Sequence, residues 1–458
     1  MRYSITLTEA DFRSLVDHLY QPGSTEQAAY LLCSLSITAS ASRLLVKEVI
    51  PVIPAEIISD SGHHMEITPQ SFMRAMKRAD SEHLSFVFVH SHPDGTVGHS
   101  PQDDSTEHSL FRTAYIRIRG YAVHASMVFS DIDSPRARVW HSDGTTSSVE
   151  VIRSIGDRFR FVQREPQMNV AGIYDRQVRA FGSGVQCLLK TLHIGIVGTG
   201  GTGSAVAEQL IRLGIGRLSL FEGQRLEASN ITRVYGSRIA DVGQPKVDII
   251  KRLAEDIGFG TEVNVYPQHI TNLKIAKALR DCDMIFGCTD DEWGRSILCR
   301  MAIDYYVPVI DVGVKIDSIE GSIVSVQGRV TTLVPGTACL FCRGRITTEG
   351  VRAQVIESFN PMQAEELRRQ RYVPELQDNA PAVIAFTTAV ASTAVGELLH
   401  RLTRFMGSER VSSKVIHFFD ESKMRTNHVL PGYDCFCGDR QRWGRGDQQP
   451  FLEMLWQE

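Results

Sequence analysis

The sequence predicts an α/β chain in two parts, an α+β domain followed by a doubly wound α/β domain. Three observations carry this. A short apolar run, Leu84 to Val89, ends in His90-Ser-His92-Pro. A second run, His193-Ile-Gly-Ile-Val197, is followed at once by Gly198-Thr-Gly200-Gly201-Thr-Gly203 and by Ser204-Ala-Val-Ala-Glu-Gln-Leu-Ile-Arg-Leu213, which is apolar at helical spacing and closed by Gly214. Arg217-Leu-Ser-Leu-Phe221, Asp283-Met-Ile-Phe-Gly-Cys288 and Val307-Pro-Val-Ile-Asp-Val-Gly313 then read as further buried strands, the alternation that builds a parallel sheet.

With 458 residues, 43% of them hydrophobic and 22% charged, the chain has length and apolar content for at least two globular domains. Its 49 basic and 53 acidic residues are mixed throughout, so no footprint for nucleic acid or an anionic membrane stands out. No apolar stretch is long enough to cross a bilayer, and the start lacks a signal-peptide core, so a cytoplasmic location is expected. In such a reducing compartment Cys339-Leu-Phe-Cys342 and Cys435-Phe-Cys437 suggest metal before disulfide.

Three stretches are expected along the chain: 1–148 as the first domain, 149–167 as a linker and 168–458 as the second. The turn-rich His141-Ser-Asp-Gly-Thr-Thr-Ser-Ser148 marks the boundary, and Arg153, Arg158, Arg160 and Arg164 read as a solvated linker or helix face. Arg43 to Val52 alternates toward a strand. His63, His64 and His99 read as exposed loop residues.

His90 and His92 project to one side of an extended segment, because side chains alternate along it. Two neutral imidazoles and the Asp103 carboxylate suffice for a zinc site that leaves a fourth position for water. Ser100-Pro-Gln-Asp103 is equally a helix start, with serine as N-cap and proline at the first helical position. A cap does not require His-x-His seven residues before it, so the metal reading is favoured.

His-x-His-Pro, six residues, then Ser-x-x-Asp resembles the signature of the JAMM (JAB/MPN) metalloproteases. The resemblance implies catalytic zinc on His90, His92 and Asp103, and Ser100 hydrogen-bonded to the oxyanion at the attacked carbonyl. It also implies an upstream glutamate as general base, usually opening a helix. Thr25-Glu26-Gln-Ala-Ala-Tyr-Leu-Leu-Cys33 fits best, with Glu48, in a strand-like context, as the rival.

The glycine motif alone would equally suit a nicotinamide-dependent dehydrogenase, with Glu222 on the ribose hydroxyls. Its glycines let backbone approach phosphate, and the helix that follows offers unpaired N–H groups. Asn230, Arg233 and Lys246 shift the reading, since a dehydrogenase has no use for two cations placed for a triphosphate. Asp290 offers magnesium a hard oxygen ligand.

Tyr174-Asp-Arg176-Gln-Val-Arg179, the glycine motif, Glu222, Ser229-Asn230-Ile-Thr-Arg233, Gly243-Gln-Pro-Lys246 and Cys288-Thr-Asp290 together resemble the ThiF/MoeB superfamily, from Tyr174 to the end. The resemblance implies a Rossmann-like adenylating domain that binds ATP and Mg, the nucleotide on Gly198, Gly200, Gly201, Gly203, Glu222 and Asn230. It implies that Arg233 and Lys246 neutralise the phosphates, that Asp290 holds magnesium, and that Arg176 reaches a neighbouring subunit's ATP, hence a homodimer. It further implies structural zinc on Cys339, Cys342, Cys435 and Cys437, although the second pair is Cys-x-Cys and paired core cysteines are the alternative. No cysteine lies between Cys342 and Cys435, where thioester-forming relatives place theirs. Cys187, Cys288 and Cys299 read as core thiols, so the chain is expected to stop at the acyl-adenylate or hand over to a partner's cysteine.

Together these imply a bifunctional enzyme of a prokaryotic ubiquitin-like system. It would adenylate the C-terminal glycine of a small β-grasp protein and cleave after that glycine, with a conjugating enzyme as a further partner. The alternative is sulfur-carrier activation and release in cofactor or amino-acid biosynthesis. A third class is a sensor or scaffold without turnover.

Overall fold

The computed structural model describes residues 1–21, 25–60, 65–120, 123–164, 169–362, 364–365, 381–454 and 456; His63 and His64 lie outside them. The chain divides into two compact units. One is Met1–Pro166 with Asp304–Tyr306 and Gln441–Phe451; the other is Gln167–Ile303 with Val307–Arg440 and Leu452–Glu458. No helix among the described residues is long and apolar enough to cross a membrane.

The first unit contains β1 (Arg2–Thr8), β2 (Ala28–Ile37), β3 (Ala41–Pro51), β4 (Ile57–Asp60), β5 (Met65–Ile67), β6 (Ser85–Ser91), β7 (His124–Phe129), β8 (Arg136–Trp140), β9 (Thr146–Ile155) and β10 (Phe159–Gln163). Apart from a β4–β5 ribbon they form one sheet, in the order β1-β3-β2-β6-β7-β8-β9-β10. A parallel β1–β9 pairing brings that sheet round on itself like a barrel. Its helices are α1 (Glu9–Leu19), α2 (Pro69–Ser81) and α3 (Pro101–Arg117). Alternation along β6 splits the core in two. Val87 and Val89 join Leu15, Met127 and Phe129, whereas Phe86 and Phe88 join Tyr30, Phe111 and Trp140.

Residues expected to link the domains belong instead to this sheet. β9 pairs with β1 from Ser4↔Val151 to Thr8↔Ile155, and with β10 from Phe159↔Ile155 to Gln163↔Val151. Arg153 is buried, and the Arg160 guanidinium lies 4.8 Å over the Phe12 ring. Arginines that suggest solvent along the chain are here the long stems of strand residues packed on aromatic and apolar surface.

The second unit carries β11 (His193–Val197), β12 (Arg217–Phe221), β13 (Glu262–Tyr266), β14 (Met284–Gly287), β15 (Val309–Ile319), β16 (Ser322–Leu333), β17 (Lys414–Phe418) and β18 (Lys423–Asn427). Their order is β13-β12-β11-β14-β15-β16-β17-β18, parallel through β15 and antiparallel beyond. The helices are α4 (Asp175–Thr191), α5 (Gly201–Leu213), α6 (Lys246–Ile257), α7 (Leu273–Ala278), α8 (Glu292–Asp304), α9 (Thr348–Phe359) and α10 (Ile384–Thr403). This is the expected Rossmann-like arrangement. The chain leaves β11 where strand order reverses between β12 and β14, the place at which open α/β sheets bind ligands.

Candidate functional site

Three clusters of polar side chains converge, one in the first unit and two in the second. In the first, the antiparallel register Ala28↔His90 brings the residues just before β2 alongside the end of β6. His90 stacks on Phe88 with ring centroids 5.4 Å apart. His92 Nδ1 stands 3.1 Å from the Thr96 carbonyl, which only accepts, so Nδ1 carries a proton, and the Asp103 carboxylate beside Nε2 raises the ring above its ordinary value. The Nε2 atoms of His90 and His92 are 3.1 Å apart, and Asp103 oxygens stand 3.3 and 3.4 Å from them. Ligands about 2.0–2.1 Å from a tetrahedral zinc are about 3.3–3.4 Å from one another; the two imidazoles approach that spacing, Asp103 meets them with a different oxygen each, and Glu26 stands with them close enough to share an ion. Glu26 Oε1 is 3.7 Å from His92 Nε2. Burial pushes the Glu26 carboxyl above its ordinary value, against the pull of His90 and His92. The group opens on a cavity of about 500 Å³, lined also by Ile67, Phe72 and Phe88.

The helix-cap reading of Ser100 is realised. Its hydroxyl accepts the Asp103 N–H at 3.2 Å, while Asp103 Oδ2 accepts the Ser100 N–H at 2.6 Å. One carboxylate therefore both caps α3 and faces the histidines. Three expectations need correction. Glu26 opens no helix but precedes β2, because the apolar run from Ala28 is buried on both faces as a strand. Glu48 is outside the cavity and bound to Arg78 at 3.2 Å. His99 is not exposed: its side chain is 10% accessible, it hydrogen-bonds Ser126 at 3.1 Å, and burial takes it down to about 3. The sequence reading also missed Glu107, buried beside the cavity and paired with Arg138 at 2.7 Å. Its position four residues after Asp103, on the same helix face, was the available signal.

In the second unit α5 begins at Gly201, earlier than the expected Ser204, with no side-chain cap, so its first N–H groups stay available to an anion. A β-carbon at Gly203 would stand 1.9 Å from the Gly198 carbonyl oxygen, so only glycine closes this turn. Glu222 takes the Thr199 N–H at 3.2 Å and the Gln224 N–H at 2.9 Å. Lys246, the first residue of α6, donates to Gln224 Oε1 at 2.7 Å. The stem of Arg233 lies across Gly201, 3.1 Å from where a β-carbon would be, and its guanidinium donates to the Ser229 carbonyl at 2.8 Å. Asn230 is buried and accepts the Glu227 N–H at 3.3 Å. The glycine turn, Glu222, Arg233 and Lys246 are thus gathered at one strand edge. Asp290 is exposed between β14 and α8. Arg176 is exposed in the first turn of α4 and makes none of these contacts. Gln224, which joins Glu222 to Lys246, went unread because a lone glutamine carries no motif.

The third cluster joins residues far apart in sequence. Sulfur separations are 3.8 Å for Cys339–Cys342, 3.5 Å for Cys339–Cys435, 3.6 Å for Cys342–Cys437 and 3.5 Å for Cys435–Cys437. A tetrahedral zinc with bonds of about 2.3 Å sets its sulfurs about 3.8 Å apart. The Gly432 N–H points at Cys342 Sγ from 3.2 Å, as it would toward a thiolate. The shorter Cys-x-Cys spacing therefore still delivers four corners. Cys187, Cys288 and Cys299 are free thiols; burial pushes Cys288 and Cys299 up, which suits core residues rather than nucleophiles.

The sequence model of the ThiF family matches residues 174–437. Molybdopterin-synthase adenylyltransferase of Escherichia coli (strain K12) is 29% identical over 209 residues, 42% of this chain and 79% of that protein. Protein HesA, vegetative, of Trichormus variabilis is 27% identical over 172 residues, 37% of this chain and 62% of its own. Ubiquitin-like modifier-activating enzyme 5 of Oryza sativa subsp. japonica is 29% identical over 168 residues, 34% of this chain. The chain spans less than two fifths of that last relative's length, 38%. Among solved structures, E. coli MccB with ATP matches 60% of this chain and 76% of its own, at 18% identity and a TM-score of 0.46.

Proposed function

Because the chain belongs to the ThiF family, we propose that its second unit is an ATP-dependent adenylyltransferase acting on the C-terminal carboxylate of a small sulfur-carrier or ubiquitin-like β-grasp protein. The observation that carries this is Arg233 lying across Gly201 while Lys246 reaches the strand edge through Gln224. When bound, ATP supplies a phosphorus centre with pyrophosphate as leaving group. The glycine turn and the open start of α5 hold phosphate, and Glu222 fixes the turn through Thr199. Arg233 and Lys246 offset negative charge that grows on the departing group, where fixed cations contribute most. Asp290 would hold magnesium. Arg176, exposed, is left to act across a homodimer interface. The nicotinamide reading is set aside with the family assignment.

For the first unit we propose a zinc metallopeptidase that cleaves after the same glycine. His90, His92 and Asp103 would hold the metal, which when bound supplies a water acidic enough to ionise near neutral pH. Glu26, its carboxyl raised by burial, suits taking up that water's proton and returning it to the leaving amine. Ser100 uses its oxygen as an acceptor in the cap, so its hydroxyl proton remains free to donate to an oxyanion. The four-cysteine cluster would hold a structural zinc.

Two settings fit, a ubiquitin-like conjugation system and sulfur-carrier activation. The absence of cysteine between Cys342 and Cys435 accords with stopping at the acyl-adenylate in either. The test is ATP/pyrophosphate exchange with a candidate β-grasp partner ending in glycine. Exchange that needs the partner is expected, and its absence across candidate partners overturns the adenylating reading.

A further inference from the structure

A group of cations that the proposed ATP site does not use lies farther along the same strand edge. Val197, the last residue before the glycine turn, pairs with Gly287, and Gly287 with Asp311. Asp311 therefore stands two strands, about 10 Å, from the turn. From there Asp311 pairs with Thr331 and Thr331 with Lys414, while Gly313 pairs with Arg329. Because side chains alternate, Asp311, Arg329 and Lys414 share one face of the sheet. Arg295 of α8 covers that face: its Nε is 3.3 Å from Asp311, and its Nη2 would be 3.3 Å from a β-carbon at Gly313. The opposite face belongs to α10, since a β-carbon at Gly328 would strike Val390. Arg345, just beyond the Cys339–Cys342 knuckle, joins the group and influences both Arg329 and Lys414.

Three guanidinium groups thus act on one carboxylate, Asp311, with Lys414 beside Arg329 and Arg345, and their hydrogen-bonding capacity is only partly spent: Arg329 Nη2 donates to Gln327 at 3.1 Å. The Nε atoms of Arg329 and Arg345 are buried without a hydrogen-bond partner, while Arg295 Nε is ion-paired with Asp311 Oδ1. Among the described residues neither Arg345 nor Lys414 is ion-paired to a carboxylate. Burial, followed by Arg345, Arg329 and Arg343, brings Lys414 down to about 8. Half-buried guanidinium groups that outnumber the carboxylate among them are costly unless a further anion joins them.

We infer that Arg295, Arg329, Arg345 and Lys414 form an oxyanion site that receives the carboxylate of the acyl substrate before its activation. The inference rests on the adenylating reading of this unit. Guanidinium forks match a planar carboxylate. The central Asp311, with Asp290 and Asp291 also acting on Arg295, favours a singly charged ligand over a polyphosphate. The site lies at the carboxyl ends of the parallel strands, on the side of the glycine turn away from Arg233 and Lys246, so nucleotide and carboxylate approach from separate directions.

The test is thermal shift of the full chain with glycylglycine, glycylglycinamide or inorganic pyrophosphate at matched ionic strength, and with ATP as a control. Glycylglycine is expected to stabilise the protein and the amide not. Arg345→Met and Arg329→Met are expected to weaken apparent glycylglycine affinity at least tenfold while the ATP shift is unchanged. Equal shifts from acid and amide, or a glycylglycine shift that survives in the double variant, overturn the proposal. A variant-sensitive shift from pyrophosphate without one from glycylglycine overturns the carboxylate assignment. If Arg345→Met does not fold, Arg345→Lys, which keeps the charge and loses the fork, is expected to weaken glycylglycine several-fold, and an unchanged affinity counts against the site. Failure of the ATP shift in the unaltered protein sinks the adenylating reading instead, and the acid–amide comparison still decides the site.

Discussion

His90 and His92 present their Nε2 atoms to each other across 3.1 Å, with an Asp103 oxygen within 3.4 Å of each. Two imidazole nitrogens and a carboxylate gathered so closely offer a metal ion three ligands of the type zinc takes. Metal analysis of the purified protein is therefore expected to find zinc that His92→Ala loses and Glu26→Gln keeps. Glu26→Gln should nonetheless lower cleavage of a linear β-grasp fusion by about 10²–10⁴-fold, the usual contribution of a general base. Normal cleavage by Glu26→Gln would move the proton-transfer role elsewhere.

The four sulfurs, 3.5 to 3.8 Å apart along the measured edges, are expected to hold a second zinc. Cys437→Ser should lose about one equivalent per chain and lower the melting temperature, while His92→Ala loses the other with little effect on melting. A chain with a single zinc that survives Cys437→Ser would mean a metal-free cysteine cluster.

Arg233→Ala and Lys246→Ala should each reduce partner-dependent ATP/pyrophosphate exchange by about 10²–10³-fold, as expected when a fixed charge aimed at the departing group is removed. Partner binding, followed by titration calorimetry, should be unaffected. If both variants exchange normally, the nucleotide lies elsewhere.

His124 is fully buried, its Nδ1 accepting the Phe86 N–H at 3.1 Å, and burial holds it near 4, well below its ordinary 6.5. Between those values the unfolded chain binds a proton that the folded chain refuses. Stability from this residue is therefore complete above pH 6.5 and falls as pH drops toward 4, by up to about 3 kcal/mol. Urea midpoints at pH 7.5 and 4.5 should lie closer together in His124→Asn than in the unaltered protein; an equal gap would show that His124 does not set the acid limb.

The glycine turn and the His-x-His pair were legible because each is a local rule: a strand, a tight turn and a helix start written in consecutive residues. Glu26 was legible as a carboxylate and misread as to element, since Ala28 to Cys33 is apolar at both strand and helix spacing and only β3 and β6, on either side, decide between them. The arginine-bearing stretch after residue 148 went wrong for the same reason. Its partner β1 lies at the other end of the unit, and no nearby residue announces it. Glu107 and Arg138, like Asp311 and Arg345, meet only after the fold has closed, and no spacing rule joins them.

The cysteine knuckle has a bearing on how such chains diversify. It fastens together points 96 residues apart, Cys339 and Cys435, so the intervening segment is tethered at both ends. Doubling the length of a tethered flexible segment adds only about 0.6 kcal/mol of closure entropy. Since α9, α10, β17 and β18 lie within that span, it is the connections between them that can lengthen at so small a cost while the cysteine ends keep their places.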